Sequence, residues 1–209
     1  MDAAEDEDMA LVRAWREGDR AAGQRLFGRY YEPVARFFAN KVPDSYASDL
    51  IQQTFLACLQ GLPGFRADGS FRSYLFAIAY RLLCRHYRAR GGDRIDLTEA
   101  SAVALDPSIC GVLVARDEMR LFLAGLREIA IELQVVLELH YWEQCSIVEI
   151  AVALEIPEGT VKSRLYRGRE ALRAAITRLA ATPALGSRTV QGMETWAEAV
   201  REHLAARPA

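Results

Sequence analysis

Apolar positions along this chain recur every three or four residues, the period of helices with one buried face. Leu11, Trp15, Leu26, Phe27, Tyr30, Val34, Phe37 and Phe38 predict two helices over residues 9–40, separated near Gly18. The second is aromatic-rich and reads as a core helix. Val42, Pro43 and Asp44 close it, with the aspartate placed to cap the next helix. Over 46–62 the residues Leu50, Ile51, Thr54, Phe55, Cys58, Leu59 and Leu62 form a buried side. The far side carries Asp49, Gln52, Gln53 and Gln60, with Leu56 standing among them, a pattern that suits a protein–protein contact. After a loop at 63–69, a helix over 70–90 has Phe71, Tyr74, Leu75, Ile78, Leu82 and Leu83 as its stripe. Arg72, Arg81, Arg85, Arg88 and Arg90 supply charge, interleaved with Tyr74, Tyr80, His86 and Tyr87. Arginine beside aromatic rings suits single-stranded DNA, whose bases stack and whose phosphates need neutralising. A solvated charged face over buried tyrosines is the plainer alternative.

Residues 91–115 hold three glycines and Pro107 without a sustained period, and read as a linker. Helices resume over 116–126 and 128–141 and lead into the most specific stretch, 146–172. There Ser146 and Glu149 form a capping box, and Ile147, Ile150, Ala151 and Leu154 recur at helical spacing. Residues 155–159 break the helix, and Pro157 suits the start of a new one. On that second helix Val161, Leu165, Gly168, Leu172 and Ile176 share a face. Thr160, Ser163, Tyr166 and Arg167 lie opposite, with Lys162, Arg169 and Arg173 on one flank and Arg164 on the other. Such a helix can enter a major groove, where arginine pairs with guanine and flanking cations hold phosphates. The chain shows no internal repeat and no strand–helix alternation, so it is read as all-α.

Charge sharpens this picture. The 209 residues carry a net −2, yet 158–178 carry +4 and 66–94 carry +5, which leaves −11 elsewhere. Two basic islands in an acidic chain suggest two DNA contacts. No apolar run approaches the roughly 20 residues of a membrane span, and the acidic start is unlike a signal peptide, so a cytoplasmic protein without membrane insertion is expected. Cys58, Cys84, Cys110 and Cys145 are scattered, and His86, His140 and His203 add no ligand spacing. Neither a metal, a cofactor nor a disulfide framework is expected. The absence of a nucleophile–base set or a phosphate-cradling glycine loop argues against an enzyme.

Three stretches in this order resemble the bacterial sigma factors of the extracytoplasmic-function type: DLIQQTF at 49–55, FRADGSFRSYLFAIA at 65–79 and IPEGTVKSRLYRGR at 156–169. The resemblance spans roughly residues 11–180. It implies a domain two over 1–90, a flexible linker over 91–115 and a helix-turn-helix domain four over 116–180. In that family domain two binds the clamp helices of the polymerase β′ subunit and melts the minus-ten element. Domain four reads the minus-thirty-five element and touches the β flap. Carried over, Asp49, Gln52, Gln53 and Leu56 become the polymerase contact. Phe65, Arg66, Ser70, Phe71 and Arg72 become the base-capturing loop, and Tyr74, Arg81, Arg85 and Arg88 the strand-reading helix. Thr160, Lys162, Ser163, Arg164, Arg167 and Arg173 become the minus-thirty-five contacts. Tyr74, Arg81 and Arg85 stand where the family usually carries tryptophan, asparagine and aspartate, so the minus-ten preference is this chain's own.

The resemblance thus implies core RNA polymerase and promoter DNA as partners, with an anti-sigma factor as a candidate regulator. The rival is a stand-alone helix-turn-helix regulator of the response-regulator type, which calls for an N-terminal domain of alternating strands and helices. Residues 181–209 lie beyond the minimal family. Met193, Trp196, Ala197, Val200 and Leu204 form a stripe there, which predicts a regulatory helix docked through a linker over 183–189.

Overall fold

The computed structural model describes residues 3–65, 69–91, 97–105 and 117–192. The N-terminal unit comprises α1 (Ala3–Arg16), α2 (Arg20–Phe38), α3 (Asp44–Gly61), a single 3-10 turn (Leu62–Gly64) and α4 (Phe71–Gly91). Asp19 starts α2 by accepting the amide hydrogens of Ala21 and Ala22 at 2.8 and 3.2 Å, which satisfies two of the donors a helix start leaves unpaired. Leu26, Val34, Phe37 and Phe38 of α2 are buried with Leu75 and Leu83 of α4, as the periodicity predicts, and Phe76, outside the predicted stripe, is buried with them. One buried acid joins α1 to α2: Asp8 accepts from Tyr30 Oη and, at 2.5 Å, from Arg29 Nη1.

In two details α3 differs from expectation. Pro43, not Asp44, holds the cap position, and Asp44 is the first helical residue. Leu59 is exposed, because the buried stripe runs through Leu50, Thr54 and Cys58 on to Leu62. Leu59 instead stands three residues from Leu56, on the side of the helix that faces outward beside α2.

The segment 97–105, inside the expected linker, holds more structure than its composition suggests. Around α5 (Ala102–Leu105) it supplies carbonyls to the next unit: Ala100 O accepts from Ile131 N at 3.0 Å, and Leu97 O from Glu132 N at 3.4 Å. Helix α7 lacks a side-chain cap, so these carbonyls meet the exposed donors at its start.

The C-terminal unit contains α6 (Asp117–Glu128), α7 (Ile131–Tyr141), α8 (Ile147–Leu154) and α9 (Glu158–Leu179). Val161, Leu165, Gly168, Leu172 and Ile176 are all buried, as the wheel predicts. A Cβ on Gly168 would sit 3.1–3.4 Å from Leu137, so α7 and α9 meet through a glycine.

Residues 183–189, read as a linker, instead belong to α10 (Pro183–Gln191). Thr182 caps it by accepting from Leu185 N at 3.2 Å, and Pro183 occupies its first turn. The helix packs on α6 and α9, with Arg188 Nε 3.2 Å from Glu118 and Thr189 buried. The stripe from Met193 to Leu204 lies outside the described residues. Removing everything after Ala181 is expected to destabilise the C-terminal unit by about 1–3 kcal/mol, the order of one or two apolar side chains uncovered. A thermal melt of the truncated chain checks this, and an unchanged melt would mean that α10 contributes nothing.

Candidate nucleic-acid and polymerase interfaces

The helix-turn-helix is built as its sequence dictates. Ser146 Oγ accepts from Glu149 N at 3.2 Å, and the Glu149 carboxylate accepts from Ser146 N at 2.9 Å. At the other end of α8, Glu155 closes the helix in the left-handed region, at φ 56° and ψ 42°, where glycine is the usual occupant. On α9 the residues Lys162, Ser163, Arg167 and Arg173 are exposed, and Thr160 is half-buried at the helix start. Ser163 donates to Thr160 O at 2.9 Å, and Arg173 pairs with Glu170 at 2.6 Å. Tyr166, which sequence reasoning left out of the contact set, is among the most exposed aromatic residues of this face, at 63%. Arg164 is a correction. Its guanidinium is largely buried against Glu132, because its flank of α9 faces α7 rather than solvent.

Two grooves flank α3. One, of about 780 Å³, opens between α2 and α3 and is lined by Phe27, Tyr31, Ile51, Gln52, Leu56 and Leu59. Tyr31 stacks on Phe55 with centroids 6.4 Å apart, and Tyr31, Leu56 and Leu59 are all exposed. The sequence placed Leu56 here, left Tyr31 unassigned and set Leu59 on the buried side of its helix. The second groove, about 640 Å³, lies between α3 and α4, lined by Gln53, Gln60, Tyr74, Arg81 and Arg85 among others. Arg85 donates to Gln53 at 3.1 Å, and Gln53 to Asp49 at 2.6 Å, so the two candidate surfaces are continuous. Arg88 is exposed farther along α4.

The base-capturing loop needs a second correction. Phe65 and Phe71 are buried, the former stacked obliquely on Tyr74 at 4.7 Å and the latter against Tyr30 at 5.3 Å. They anchor the loop rather than offer rings to a base. Arg66 lies outside the described residues.

The two units do not stand apart. Helix α4 lies along α8, and a set of polar contacts crosses between them. Arg36 of α2 holds Glu143 through two bonds of 2.9 Å, Nε to Oε1 and Nη2 to Oε2. Lys41, wholly buried, pairs with Glu138, which also accepts from Gln134 Nε2 at 2.8 Å. Burial pushes the Glu138 carboxyl up to about 7 and depresses the Lys41 ammonium, while each charge opposes the shift in the other. Asn40 Nδ2 donates to Leu123 O at 3.1 Å. Ser70 Oγ donates to Glu149 Oε1 at 2.7 Å, Arg72 Nη1 to Glu143 O at 3.4 Å and Arg81 Nη1 to Glu155 Oε1 at 3.2 Å. Little in the sequence announced this interface beyond Arg36, a cation set within an aromatic core helix.

Comparison with known proteins assigns this architecture. The sigma-70 region 2 model matches residues 26–92, and the sigma-70 region 4 model residues 120–172. The chain is 26% identical over 176 residues to the ECF RNA polymerase sigma-E factor of Escherichia coli (strain K12), covering 79% of this chain and 92% of that one. It is 27% identical over 183 residues to the RNA polymerase sigma-H factor of Pseudomonas aeruginosa, covering 82% and 95%. The chain belongs to the sigma factors of the extracytoplasmic-function type. Two solved structures share the fold. One is CnrH in complex with the cytosolic domain of CnrY, with TM-score 0.61, 24% identity, and 83% of this chain and 99% of that one covered. The other is the sigma factor RpoE of Bartonella quintana in complex with the anti-sigma factor NepR, with TM-score 0.59, 18% identity, and 75% and 98% covered.

This sigma factor is therefore a promoter-specificity subunit that binds core RNA polymerase and promoter DNA and initiates transcription. The response-regulator alternative is not favoured, because region 2 occupies the place where its phosphoacceptor domain would stand. Among the described residues, no group of three or more His, Cys, Asp or Glu side chains could hold a metal ion, and no helix is long and apolar enough to cross a membrane. Cys58, Cys84 and Cys145 are buried free thiols, and burial pushes Cys58 up to about 12. Cys110 lies outside the described residues.

Proposed function

We propose that this sigma factor divides its work between two units whose boundaries lie near residues 90 and 116. Domain two docks on the β′ clamp helices through Asp49, Gln52, Gln53 and Leu56, extended by Tyr31 and Leu59 along the apolar groove. It holds the melted minus-ten strand along α4, with Ser70, Arg72, Tyr74, Arg81, Arg85 and Arg88 facing bases and phosphates. Arg66 joins this set on the strength of sequence alone. Domain four, extended by α10 to about residue 192, contacts the β flap and reads the minus-thirty-five duplex with Thr160, Lys162, Ser163, Arg167 and Arg173. The carrying observation is the exposed polar face of α9 over a wholly buried apolar face. The work is done by binding energy in the cytoplasm, with no covalent step. An anti-sigma factor is a further proposed partner, supported by the complex in which one structural relative was solved.

Arg167→Ala is expected to lose about 1–3 kcal/mol of discrimination at one base pair, the value of a bidentate base contact. Arg173→Ala is expected to weaken all promoters alike, since it lies on the phosphate-facing flank. Binding of holoenzyme to single-base promoter variants separates the two, and exchanged phenotypes would show the wrong face toward the groove.

A further inference from the structure

Among the described residues that line the groove between α3 and α4, there are cationic donors and no carboxylate. Its floor is apolar, made by Ala57, Ile78 and Leu82. Its rim carries Arg81 and Arg85, one helical turn apart on α4. Tyr74 closes one end. Its ring lies over Gly61, where a Cβ would collide with its hydroxyl, and is stacked obliquely on Phe65 at 4.7 Å. Fixed in this way and still partly exposed, the ring is a ready platform for a base. Burial raises the Tyr74 phenol and the charge of Arg81 opposes that shift, so ring and guanidinium feel one another. Gln53 accepts from Arg85 at 3.1 Å and gives its own amide hydrogen to Asp49 at 2.6 Å, which leaves it little for a ligand. Arg81 donates to Glu155 at 3.2 Å, an exposed pair of a kind that is weak in water.

We propose that this groove receives one unpaired guanine of the melted minus-ten strand, stacked on Tyr74 and read by Arg81 at O6 and N7. The proposal rests on the assignment of α4 as the strand-reading helix and adds the base that the helix selects. Guanine presents two adjacent acceptors on that edge and no donor, a pattern that one guanidinium meets with two parallel bonds. Adenine and cytosine place an amino group there, facing two cations with no lining carboxylate to receive it. Gln60, on the rim, could accept from such an amino group, but a neutral bond is roughly half as strong as a charge-assisted one. Thymine offers a single acceptor beside its methyl group. Arg85, steadied by Gln53, takes the phosphate of the captured nucleotide.

The test uses the holoenzyme of this sigma factor with core polymerase, and bubble duplexes whose unpaired nontemplate strand is randomised, with core enzyme alone as background. Sequencing of the bound fraction is expected to show guanine enriched about tenfold at one bubble position, within the range of a bidentate base contact. In the selected duplex, 7-deazaguanine at that position, which lacks N7, is expected to weaken binding about tenfold. Inosine, which keeps O6 and N7, is expected to change it less than about twofold. Arg81→Ala is expected to bind guanine and 7-deazaguanine alike, with an unchanged thermal melt, since Arg81 is exposed. Arg85→Ala is expected to weaken all bubbles alike and to lower the salt slope by about one. No guanine enrichment, or equal binding of guanine and 7-deazaguanine by the wild type, would overturn the proposal. Arg81→Ala with Arg85→Ala keeps the underlying assignment separately testable. If that variant binds the bubbles as tightly as wild type, the reading of α4 falls. If it loses binding while the wild type shows no base preference, the two arginines hold phosphates alone and only the guanine site falls.

Discussion

Leu56→Asp is expected to abolish assembly of this sigma factor with core RNA polymerase while leaving its own fold unchanged. Leu56 is half exposed on α3, so a carboxylate there stays hydrated in the free protein and disturbs no packing. In a complex the same position would be pressed against the partner, at the edge of a groove whose walls are Phe27, Tyr31, Ile51 and Leu59. Burying an unpaired carboxylate costs several kcal/mol, and interface centres of this kind carry most of the binding energy. A loss of about 100-fold or more in affinity is therefore expected, as in truncations of interface hot spots. Assembly measured by gel filtration or fluorescence, beside a thermal melt of the free protein, checks both halves. Retained binding would remove α3 as the polymerase contact.

Glu138→Ala is expected to have the largest effect on the free protein, and to open the molecule rather than unfold it. It strands Lys41, fully buried at the contact between the units and lying 4.8 Å over the Phe37 ring. Breaking a buried ion pair by removing one partner costs about 3–5 kcal/mol when the remaining charge has no escape. Here an escape exists, because Lys41 regains water once the two domains part. The expected outcome is a larger radius of gyration with little change in the melting of each unit. Lys41→Met combined with Glu138→Leu, which replaces the pair by apolar groups, is expected to restore the closed form. Loss of folded structure in Glu138→Ala, without prior opening, would show that the pair belongs to a core rather than to a separable contact.

Most helices could be read from the sequence because each buries its own periodic face. The capping box at Ser146 and Glu149, the stripe from Val161 to Ile176 and the turn at Pro157 are local features, and local chemistry decides them. The misreadings arise where a second helix sets the environment. Phe71 is buried as its place in the apolar stripe predicts, and Phe65, which the resemblance alone sets in the base-capturing loop, is buried beside it against Tyr74. Arg164 looks like a base reader until Glu132, thirty-two residues earlier, takes its charge. Leu59 looks buried on the wheel of α3, but it is exposed along the groove that α3 forms with α2. The contact between the two domains depends on Arg36, Lys41, Glu138 and Glu143, charged residues that single-sequence reasoning assigns to solvent. The order of residues 97–105 follows from backbone carbonyls, which leave no signature in side-chain pattern.

Run-off transcription with core RNA polymerase across a genomic library tests the central claim most directly. Addition of this sigma factor is expected to produce discrete start sites that share two spaced elements, and Leu56→Asp is expected to erase them all. Arg167→Ala is expected to change only the dependence on the upstream element. Footprints on duplex promoters at nanomolar protein without polymerase, together with no sigma-dependent start sites, would contradict the assignment.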